Sequence, residues 1–392
     1  MADDCGLLKF TYRQRDCESC AGRNVETLWS QAFKARTRSG FWNFQTTDVI
    51  CKDCGFVFVS PAQKSEELLE YYSDSLSPYA SQELDYDVDK RLKAIDRVLS
   101  RGGVYKRFLE LGSNAQSFFH DALKLRFTDI LLYEPNGDHT SNVSDVHAIE
   151  SGSVDVVAAY FVLEHVIEVR QFLVDAFKKL RPGGALILEV PNLLHYPNDT
   201  NALALYEHVN HFDIASLSRI AASVGFRLVE SSTEDCSRSF GFVAIFERTT
   251  LAEAGAVDSN NYQRNKAAFL AGLERYEAIE KHANALRGQL DLNGPDRQRF
   301  IFWGANDNLI RFLGDSDFDI NPVIVDSNPD KKEYFSRRLD VFTPKEVSGE
   351  IIEADAIVIF TNRHAQQILD TIRSDFGKEF ADNNVHILDF QS

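Results

Sequence analysis

Four of the six cysteines form two CxxC pairs, in the motifs "CESC" (Cys17, Cys20) and "CKDC" (Cys51, Cys54). Each pair can present two thiolates from one turn, and two such turns complete a tetrahedral S4 site of the kind that suits Zn2+. Neither pair stands at a helix start in a thioredoxin-like unit, as a redox role would require. Because four protein ligands leave no coordination position open, the spacing predicts a structural zinc ion; the alternative is a set of reduced thiols.

A second set of polar residues follows three short apolar runs in the middle of the chain. After "RFLEL" a turn begins at Gly112, "LLYEPN" carries Glu134 near its end, and "VDVVAAYF" ends in Tyr160 and Phe161. In a doubly wound sheet, ligands bind beyond the carboxyl ends of the strands, where an acidic residue accepts hydrogen bonds from ribose hydroxyls. The two aromatic rings can flank an adenine, so we expect an adenosine-containing cofactor here. Its predicted contacts are Glu110, Gly112, Asn114, Gln116, Glu134, Pro135, Tyr160 and Phe161.

A third set lies in "LYEHVNHFD", which places Tyr206, Glu207, His208 and His211 within six residues. Removal of a proton from a substrate needs a base with a pKa near neutrality, and a histidine or a desolvated glutamate provides one. Glu207 and His208 are therefore the expected substrate contacts. The two tyrosines of "EYYSDS" can line the same pocket or pack the end of a helix.

Length and composition limit the number of domains, the partners and the location that this chain can have. The chain has 392 residues, a formal net charge of -17 and a sequence pI near 5.1. This length predicts two or three domains. The negative charge argues against a nucleic-acid partner, since phosphate neutralisation needs clustered Lys and Arg. The sequence shows no secretory signal pattern and no apolar run of about 18 residues, so we expect a cytoplasmic protein that does not contact a membrane.

The periodicity predicts an α/β protein with a doubly wound, Rossmann-like central domain. Apolar runs alternate there with segments of helical spacing, which is typical of a parallel sheet covered by helices. The same pattern returns near the C-terminus as a second Rossmann-like domain. The predicted division is 1–60 for a zinc-binding module, 61–103 for a helical connection, 104–250 for the central domain, 251–293 for a long linking helix and 294–392 for the C-terminal domain.

The segment "VDVVAAYFVLEHVIEVRQFLVDAFKKLRPGGALILEVPN" closely resembles class I S-adenosylmethionine-dependent methyltransferases. It carries the "VLEH" turn, the "LRPGG" reverse turn and "EVPN" on the following strand. The run "HFDIASLSRIAASVGFRLVE" is similar to the segment that follows in that fold. The resemblance implies S-adenosylmethionine as the cofactor. Since this molecule has no pyrophosphate, its loop needs close backbone approach more than a phosphate nest.

The order of the parts resembles the sugar C-methyltransferases, which act on nucleotide-linked deoxy-keto sugars. The resemblance runs from the CxxC motifs and "CGFVFVSP" through "LLEYYSDS" to "VIVDSNPDKK". In that family a Tyr-His-Glu-His motif helps to remove a proton alpha to a keto group, and the resulting enolate attacks the sulfonium methyl. In this chain Glu207 and His208 match the motif and Tyr206 is displaced by one position. His165 lies where the family carries a histidine near the transferred methyl.

Departures from the family pattern leave alternatives open. The first loop retains Gly112 but has Asn114 and Gln116 where two further glycines are usual, and the "GAxxKG" turn reads "GANDNL". Asn tolerates a left-handed backbone, and its amide can bind the amino-acid tail of the cofactor. The expected function is C-methylation of a small molecule, a nucleotide-linked sugar or related polar metabolite, by a monomer or homodimer. The alternatives are an O-methyltransferase on a sugar or secondary metabolite, and a binding protein that has lost its cofactor.

Overall fold

The structure is a computed structural model that describes residues 7–37, 39–75, 87–113, 117–135, 141–199, 203, 206–249, 260–289, 299–314, 322–361, 364–378, 381 and 385–387. Its strands form a mixed N-terminal sheet, a small two-stranded sheet, a six-stranded central sheet and a five-stranded parallel C-terminal sheet. Helices alternate with the strands of the last two sheets, which confirms the predicted α/β fold. None of the helices described is both long and apolar enough to span a bilayer.

The N-terminal part is built around a long antiparallel hairpin, β3 with β4. The elements are β1 (Leu7–Lys9), β2 (Tyr12–Arg13), β3 (Val25–Thr37), β4 (Gly40–Cys51), β5 (Val57–Val59), β6 (Ala62–Gln63) and helix α1 (Ser65–Ser75). Buried positions alternate in β4 at Trp42, Phe44, Thr46 and Asp48, as expected for a strand with one face in a core. Tyr71 of α1 packs on Phe44 with ring centroids 5.0 Å apart. The hairpin therefore holds α1 against an aromatic face.

The central sheet has the strand order β12-β13-β10-β9-β7-β8. Its region contains α2 (Val88–Leu99), β7 (Arg107–Leu111), α3 (Ser117–Leu123), β8 (Asp129–Tyr133), β9 (Val154–Tyr160), α4 (Val169–Lys179), β10 (Leu180–Pro191), β11 (Asn210–His211), α5 (Ile214–Val224), β12 (Phe226–Ser232) and β13 (Gly241–Arg248). Strands β7 to β10 are parallel, and β13 is antiparallel to β10 and β12. Every residue of β9 is buried, as is usual for a strand covered on both faces. The carboxyl ends of β8, β7 and β9 therefore meet at one edge.

The short strand β11 ties the central part to the N-terminal sheet, since it pairs antiparallel with β5. Arg15 strengthens this junction from the N-terminal side. Its guanidinium donates to the carbonyl oxygens of Ile167 (2.5 Å) and Val209 (3.1 Å) and to Oδ1 of Asn210 (3.0 Å). The segment just before β11 is therefore fixed by contacts from both parts.

Helix α6 (Asn261–Gln289) begins on the N-terminal part and continues past the central one. At its start, Asn261 Nδ2 donates to the carbonyl oxygen of Cys54 at 2.9 Å. Further along, a Cβ added to Gly272 would lie 2.6 Å from the Cβ of Tyr196. This close approach explains a glycine inside a helix, where it costs about 1 kcal/mol relative to alanine.

The C-terminal part is a five-stranded parallel sheet in the order β16-β15-β14-β17-β18. Its elements are β14 (Phe300–Trp303), α7 (Asp307–Gly314), β15 (Val323–Val325), α8 (Lys331–Tyr334), β16 (Val341–Phe342), α9 (Ser348–Ile352), β17 (Ala356–Ile359), α10 (Ala365–Phe376) and β18 (Val385–Ile387). In the "GANDNL" turn, Asn306 Oδ1 accepts the N–H of Leu309 and Nδ2 donates to the carbonyl of Phe360. Asn306 thus caps α7 and joins it to β17.

Candidate functional site

The four cysteines of the two CxxC motifs come together in one cluster. Their Sγ atoms all lie within 4.8 Å of one another. The sulfurs of Cys17 and Cys54 are 3.5 Å apart, as are those of Cys20 and Cys51. In a tetrahedral site with Zn–S bonds of about 2.3 Å, sulfurs are about 3.8 Å apart. The quartet therefore has the dimensions of a tetrahedral metal site.

The two cysteine turns share one backbone arrangement. The residue after each second cysteine is left-handed, with φ of 59° at Ala21 and 78° at Gly55. Its N–H donates to the carbonyl oxygen of the first cysteine, from Ala21 to Cys17 at 2.7 Å and from Gly55 to Cys51 at 2.8 Å. Hydrogen bonds from the Cys17 and Cys51 thiols lower the pKa of Cys54 below its usual value, and the same cluster raises the pKa of Cys17. Cys54 thus favours the thiolate, the form of cysteine that binds metal ions.

The predicted cofactor edge lies at the carboxyl ends of β7, β8 and β9. Gly112 has φ of +75°, and a Cβ added there would lie 2.5 Å from Cγ2 of Val162. Its N–H donates to the carbonyl oxygen of Tyr133 at 2.9 Å, which holds the turn against β8. The Ser113 hydroxyl is buried and has no hydrogen-bond partner among the residues the structure describes. A ligand-binding loop is expected to show close backbone packing and a buried polar atom that lacks a hydrogen-bond partner within the described residues.

The acidic residues of this edge have different surroundings. Glu110 is buried, and its Oε2 lies 3.1 Å from Nε2 of His120. Glu134 follows the end of β8 and is partly exposed, and Pro135 after it is exposed. Glu134 is therefore the carboxylate that a ligand can reach. Two further predicted contacts lie outside the described residues, Asn114 and Gln116.

The two aromatic residues predicted to flank an adenine also differ. Tyr160 is buried in the core of the central part, with the Arg91 guanidinium 4.2 Å from its ring centroid. Phe161 has φ of 56°, a left-handed conformation that costs a non-glycine residue about 1–3 kcal/mol. Such strain is concentrated at functional sites. Phe161 is therefore the better candidate for a ligand contact.

The predicted base Glu207 lies in a cluster contributed by all three parts of the molecule. Tyr71 of α1 donates to its Oε1 at 2.6 Å, and Nη2 of Arg338, which follows α8, lies 3.4 Å from the same oxygen. The hydroxyls of Tyr71 and Tyr206 are 3.1 Å apart. Burial raises the pKa of Tyr71 well above its usual value, and the charge of Glu207 adds to this. Tyr71 therefore stays neutral and acts as a hydrogen-bond donor.

The predicted histidines His165 and His208 lie side by side. Their ring centroids are 4.7 Å apart with an interplanar angle of 83°. His165 Nδ1 lies 3.1 Å from the Tyr72 hydroxyl and 3.3 Å from the carbonyl oxygen of Glu207. Next to them Glu164 is buried, and burial raises its pKa to about 8. The turn after β9 and the segment before β11 thus bring two imidazoles and the Glu164 carboxyl group together.

His211, the other histidine of the motif, lies in the core instead. Its Nε2 is 2.8 Å from Oδ1 of Asp48 and its Nδ1 is 2.7 Å from the Tyr196 hydroxyl. All three residues are buried. Both ring nitrogens are therefore occupied by structural contacts, and His211 fastens β11 to the N-terminal hairpin.

Sequence reasoning missed two side chains of this site. Arg338 is 131 residues from Glu207 along the chain, and nothing near it in the sequence indicates that it reaches the cluster. Glu164 stands beside His165 in the "VLEH" motif. A carboxyl group inside the apolar run "AAYFVLEHV" is the signal that could have identified it, since buried titratable groups concentrate at functional sites.

The central part of the chain has recognisable relatives. Residues 82–231 match the family model described as a methyltransferase domain. Over 83 residues the chain is 28% identical to a Mycolicibacterium smegmatis protein named "Probable S-adenosylmethionine-dependent methyltransferase". The aligned region is 21% of this chain and 32% of that protein, so the chain spans about a third of its relative's length. The family model confirms the expected methyltransferase domain in the central part of the chain.

Solved methyltransferase structures align with part of the chain. One is the 1,6-didemethyltoxoflavin-N1-methyltransferase of Burkholderia thailandensis, at 13% identity and a TM-score of 0.37, over 50% of this chain and 96% of that one. Another is an S-adenosylmethionine-dependent methyltransferase of Mesorhizobium loti, at 14% identity and a TM-score of 0.32. The alignment covers 41% of this chain and 100% of the Mesorhizobium loti chain.

Proposed function

We propose that the chain is an S-adenosylmethionine-dependent methyltransferase that methylates a nucleotide-linked sugar, or a related polar metabolite, at a carbon alpha to a keto group. One observation carries the proposal. Tyr71 and Arg338 hold the Glu207 carboxylate, and the backbone carbonyl oxygen of Glu207 lies 3.3 Å from Nδ1 of His165, whose ring packs against that of His208. A positioned carboxylate, on a residue whose backbone contacts an imidazole, is suited to removing an alpha proton.

S-adenosylmethionine supplies an electrophilic methyl group when bound. We assign its adenosine to the edge that carries Gly112, Glu134 and Phe161. Glu134 would accept hydrogen bonds from the ribose hydroxyls, and the turn at Gly112 would allow close backbone approach. The buried Ser113 hydroxyl, which has no partner in the described part of the chain, supports a ligand at this turn.

In the proposed reaction the Glu207 carboxylate takes the alpha proton of the substrate. Tyr71 and Arg338 both contact Oε1, so we assign the proton to Oε2. The electron pair of the broken C–H bond would form the enolate, and its carbon would accept the methyl group that bound S-adenosylmethionine supplies, with the sulfonium sulfur leaving as a neutral thioether. His165 and His208 are assigned to the side of the keto oxygen. Methyl transfer itself needs mainly alignment of the two reacting atoms, which the positioned cluster would provide.

Methylation of a hydroxyl group is the second candidate, since it needs only a base near that hydroxyl and Glu207 provides one. The position of Tyr206 favours C-methylation. Although it is displaced by one residue in the motif, its hydroxyl lies 3.1 Å from that of Tyr71, within the Glu207 cluster. A third candidate is a protein that binds a ligand at this site without catalysis.

We also propose that Cys17, Cys20, Cys51 and Cys54 hold a structural Zn2+ ion. Four thiolates complete a tetrahedral shell and leave no position for a substrate. The division of the chain into a zinc-binding module, a methyltransferase domain and a C-terminal Rossmann-like domain, joined by a helical connection and a long helix, is part of the same proposal.

Calorimetric titration with S-adenosylmethionine tests the cofactor assignment. We expect one molecule bound per chain, and Glu134→Ala should weaken binding about 10- to 100-fold because hydrogen bonds to a charged group are lost. Glu150→Ala, at an exposed carboxylate before β9, is the matched control and should leave the affinity unchanged. If the wild-type chain binds no S-adenosylmethionine, both methyltransferase proposals fail.

Isotope exchange separates C- from O-methylation. A keto sugar nucleotide incubated with the protein in deuterated water should exchange its alpha proton even without S-adenosylmethionine, because Glu207 forms the enolate first. Glu207→Gln should abolish that exchange. Methyl transfer to a hydroxyl, with no exchange at the alpha carbon, would establish O-methylation instead.

A further inference from the structure

Three side chains beside the proposed substrate site are arranged as ligands of one ion. Glu164, His165 and His208 each offer a donor atom, and these atoms all lie within 4.8 Å of one another. Glu164 and His165 occupy the turn after β9, and His208 lies two residues before β11. Asn210 locks these segments together, since its Nδ2 donates to the carbonyl oxygens of Leu163 (3.0 Å) and Val166 (2.7 Å). The cluster is therefore held on two fixed segments.

The distances within the cluster suit a shared cation better than direct hydrogen bonds. Oε1 of Glu164 and Nε2 of His165 are 3.9 Å apart, which is too long for a hydrogen bond. Two donors that each lie about 2.1 Å from one ion are about 3–4 Å apart. Oε2 of Glu164 is buried and lacks a hydrogen-bond partner within the described ranges. A buried carboxylate without a partner is costly, and a bound cation removes that cost.

The surroundings of His165 match those of a metal-binding histidine. A ligating imidazole usually donates its second N–H to a carbonyl or similar acceptor, which fixes the tautomer. Here Nδ1 lies 3.3 Å from the carbonyl oxygen of Glu207, so donation from Nδ1 leaves the lone pair of Nε2 facing Glu164. The His165 side chain is 27% exposed, which gives an ion a path to the cluster.

We propose that Glu164, His165 and His208 bind a divalent first-row cation, such as Zn2+ or Co2+, with coordination positions left open for substrate. Two imidazoles and one carboxylate form a harder donor set than the four thiolates of the cysteine cluster, so the two sites differ in ligand chemistry. If the proposed C-methylation holds, the cation would bind the oxygen of the enolate and keep His208 neutral. Proton removal would then fall to Glu207 alone.

Metal binding can be measured without knowing the substrate. The full chain, with zinc loaded into the cysteine cluster, is titrated with Co2+, and bound metal is counted by elemental analysis after removal of the free ion. We expect one additional Co2+ per chain, with the weak absorption of nitrogen and oxygen ligands and no thiolate charge-transfer band. Glu164→Gln and His208→Ala should each weaken this uptake about 100-fold or more. His195→Ala, at a histidine outside the cluster, should bind Co2+ like the wild type.

The outcomes separate this proposal from the proposed function. No additional Co2+ in the wild type, equal uptake by Glu164→Gln, or uptake that shows a thiolate band would overturn the cation site. Circular dichroism and S-adenosylmethionine calorimetry on the same variants show whether they fold and bind cofactor. If the chain binds S-adenosylmethionine but no additional Co2+, the methyltransferase proposal stands and only the proposed cation site is rejected.

Discussion

At the scale of single residues, the side chain that organises the proposed catalytic cluster comes from the C-terminal part. The Arg338 side chain is 5% exposed, and besides Glu207 it contacts the Tyr71 hydroxyl at 3.3 Å and the carbonyl oxygen of Ser75 at 3.1 Å. The neighbouring Arg337 donates to the carbonyl oxygen of Ser73. The last carbonyls of a helix lack partners within it, so the two arginines cap α1 from outside. The C-terminal part thus fixes both the helix that carries Tyr71 and the base that Tyr71 contacts.

Removing the Arg338 charge should destabilise the chain. Arg338→Met leaves the mostly buried Glu207 without its cation, and loss of one partner of such an ion pair costs about 3 kcal/mol. We expect the free energy of unfolding, measured by chemical denaturation, to fall by about this amount. Arg338→Lys should recover part of it, because the charge returns without the planar fork. Arg337→Met is the control at a more exposed arginine and should lower the free energy of unfolding by about 1 kcal/mol or less. An equal loss in both variants would contradict the stabilising role of the contact between Arg338 and Glu207.

At the scale of elements, the sequence predicted the features that depend on neighbouring residues alone. The two CxxC motifs predicted a cluster because each pair is formed within one turn, and the apolar runs predicted the strands because burial on both faces leaves a continuous apolar stretch. Two features had no local signal. Tyr160 and Phe161 are adjacent and both aromatic, yet only tertiary packing puts Tyr160 beneath Arg91. Likewise, "EHVNH" does not reveal that His211 pairs with Asp48, because that partner lies 163 residues away.

The start of β9 offers a prediction about pH. Asp155 Oδ2 accepts the backbone N–H groups of Lys106 (2.7 Å) and Arg107 (2.8 Å), and Oδ1 lies 2.5 Å from Nε of Arg181. Although burial raises the pKa of Asp155, these hydrogen bonds outweigh it and lower the pKa below its usual value of 3.8. The stabilisation should therefore be complete above about pH 5 and be lost as the pH falls below 3.8, through the folded-state pKa.

Asp155→Asn tests that expectation. At neutral pH the free energy of unfolding of the variant should be about 1–2 kcal/mol lower than that of the wild type, because an amide oxygen is a weaker acceptor of the two backbone hydrogen bonds than a carboxylate. The difference should shrink when denaturation is repeated at acid pH, where the wild-type carboxylate is protonated. Asp129→Asn, at an exposed ion pair with Arg107, should change little at any pH. A difference that stays constant down to acid pH would show that charge is not the cause.

At the scale of the whole molecule, the cysteine cluster and the proposed active site are linked through helix α6 and strand β11. Asn265 Nδ2 donates to the carbonyl oxygen of Gly55, directly after the second cysteine turn, at 2.9 Å. A Cβ at Gly55 would lie 2.6 Å from the backbone nitrogen of Tyr262, so helix and turn are in close contact. Strand β5 follows this turn and pairs with β11, which follows the Glu207 segment. A change in the cysteine turn can therefore reach both the long helix and the proposed base.

Loss of metal from the cysteine cluster should loosen these linked segments selectively. Treatment with a strong chelator, or the pair Cys51→Ser with Cys54→Ser, should release the turn that contacts the start of α6, because the proposed zinc ion would be the cross-link that holds the thiolates together. Hydrogen exchange followed by mass spectrometry should show faster exchange at the start of α6 and in the segment 206–211. Strands β14 to β18 should keep their protection, since they belong to a separate sheet. Cys236→Ala, a buried cysteine outside the cluster, is the control. Unchanged exchange at the start of α6 after metal removal would show that the cluster does not support the helix.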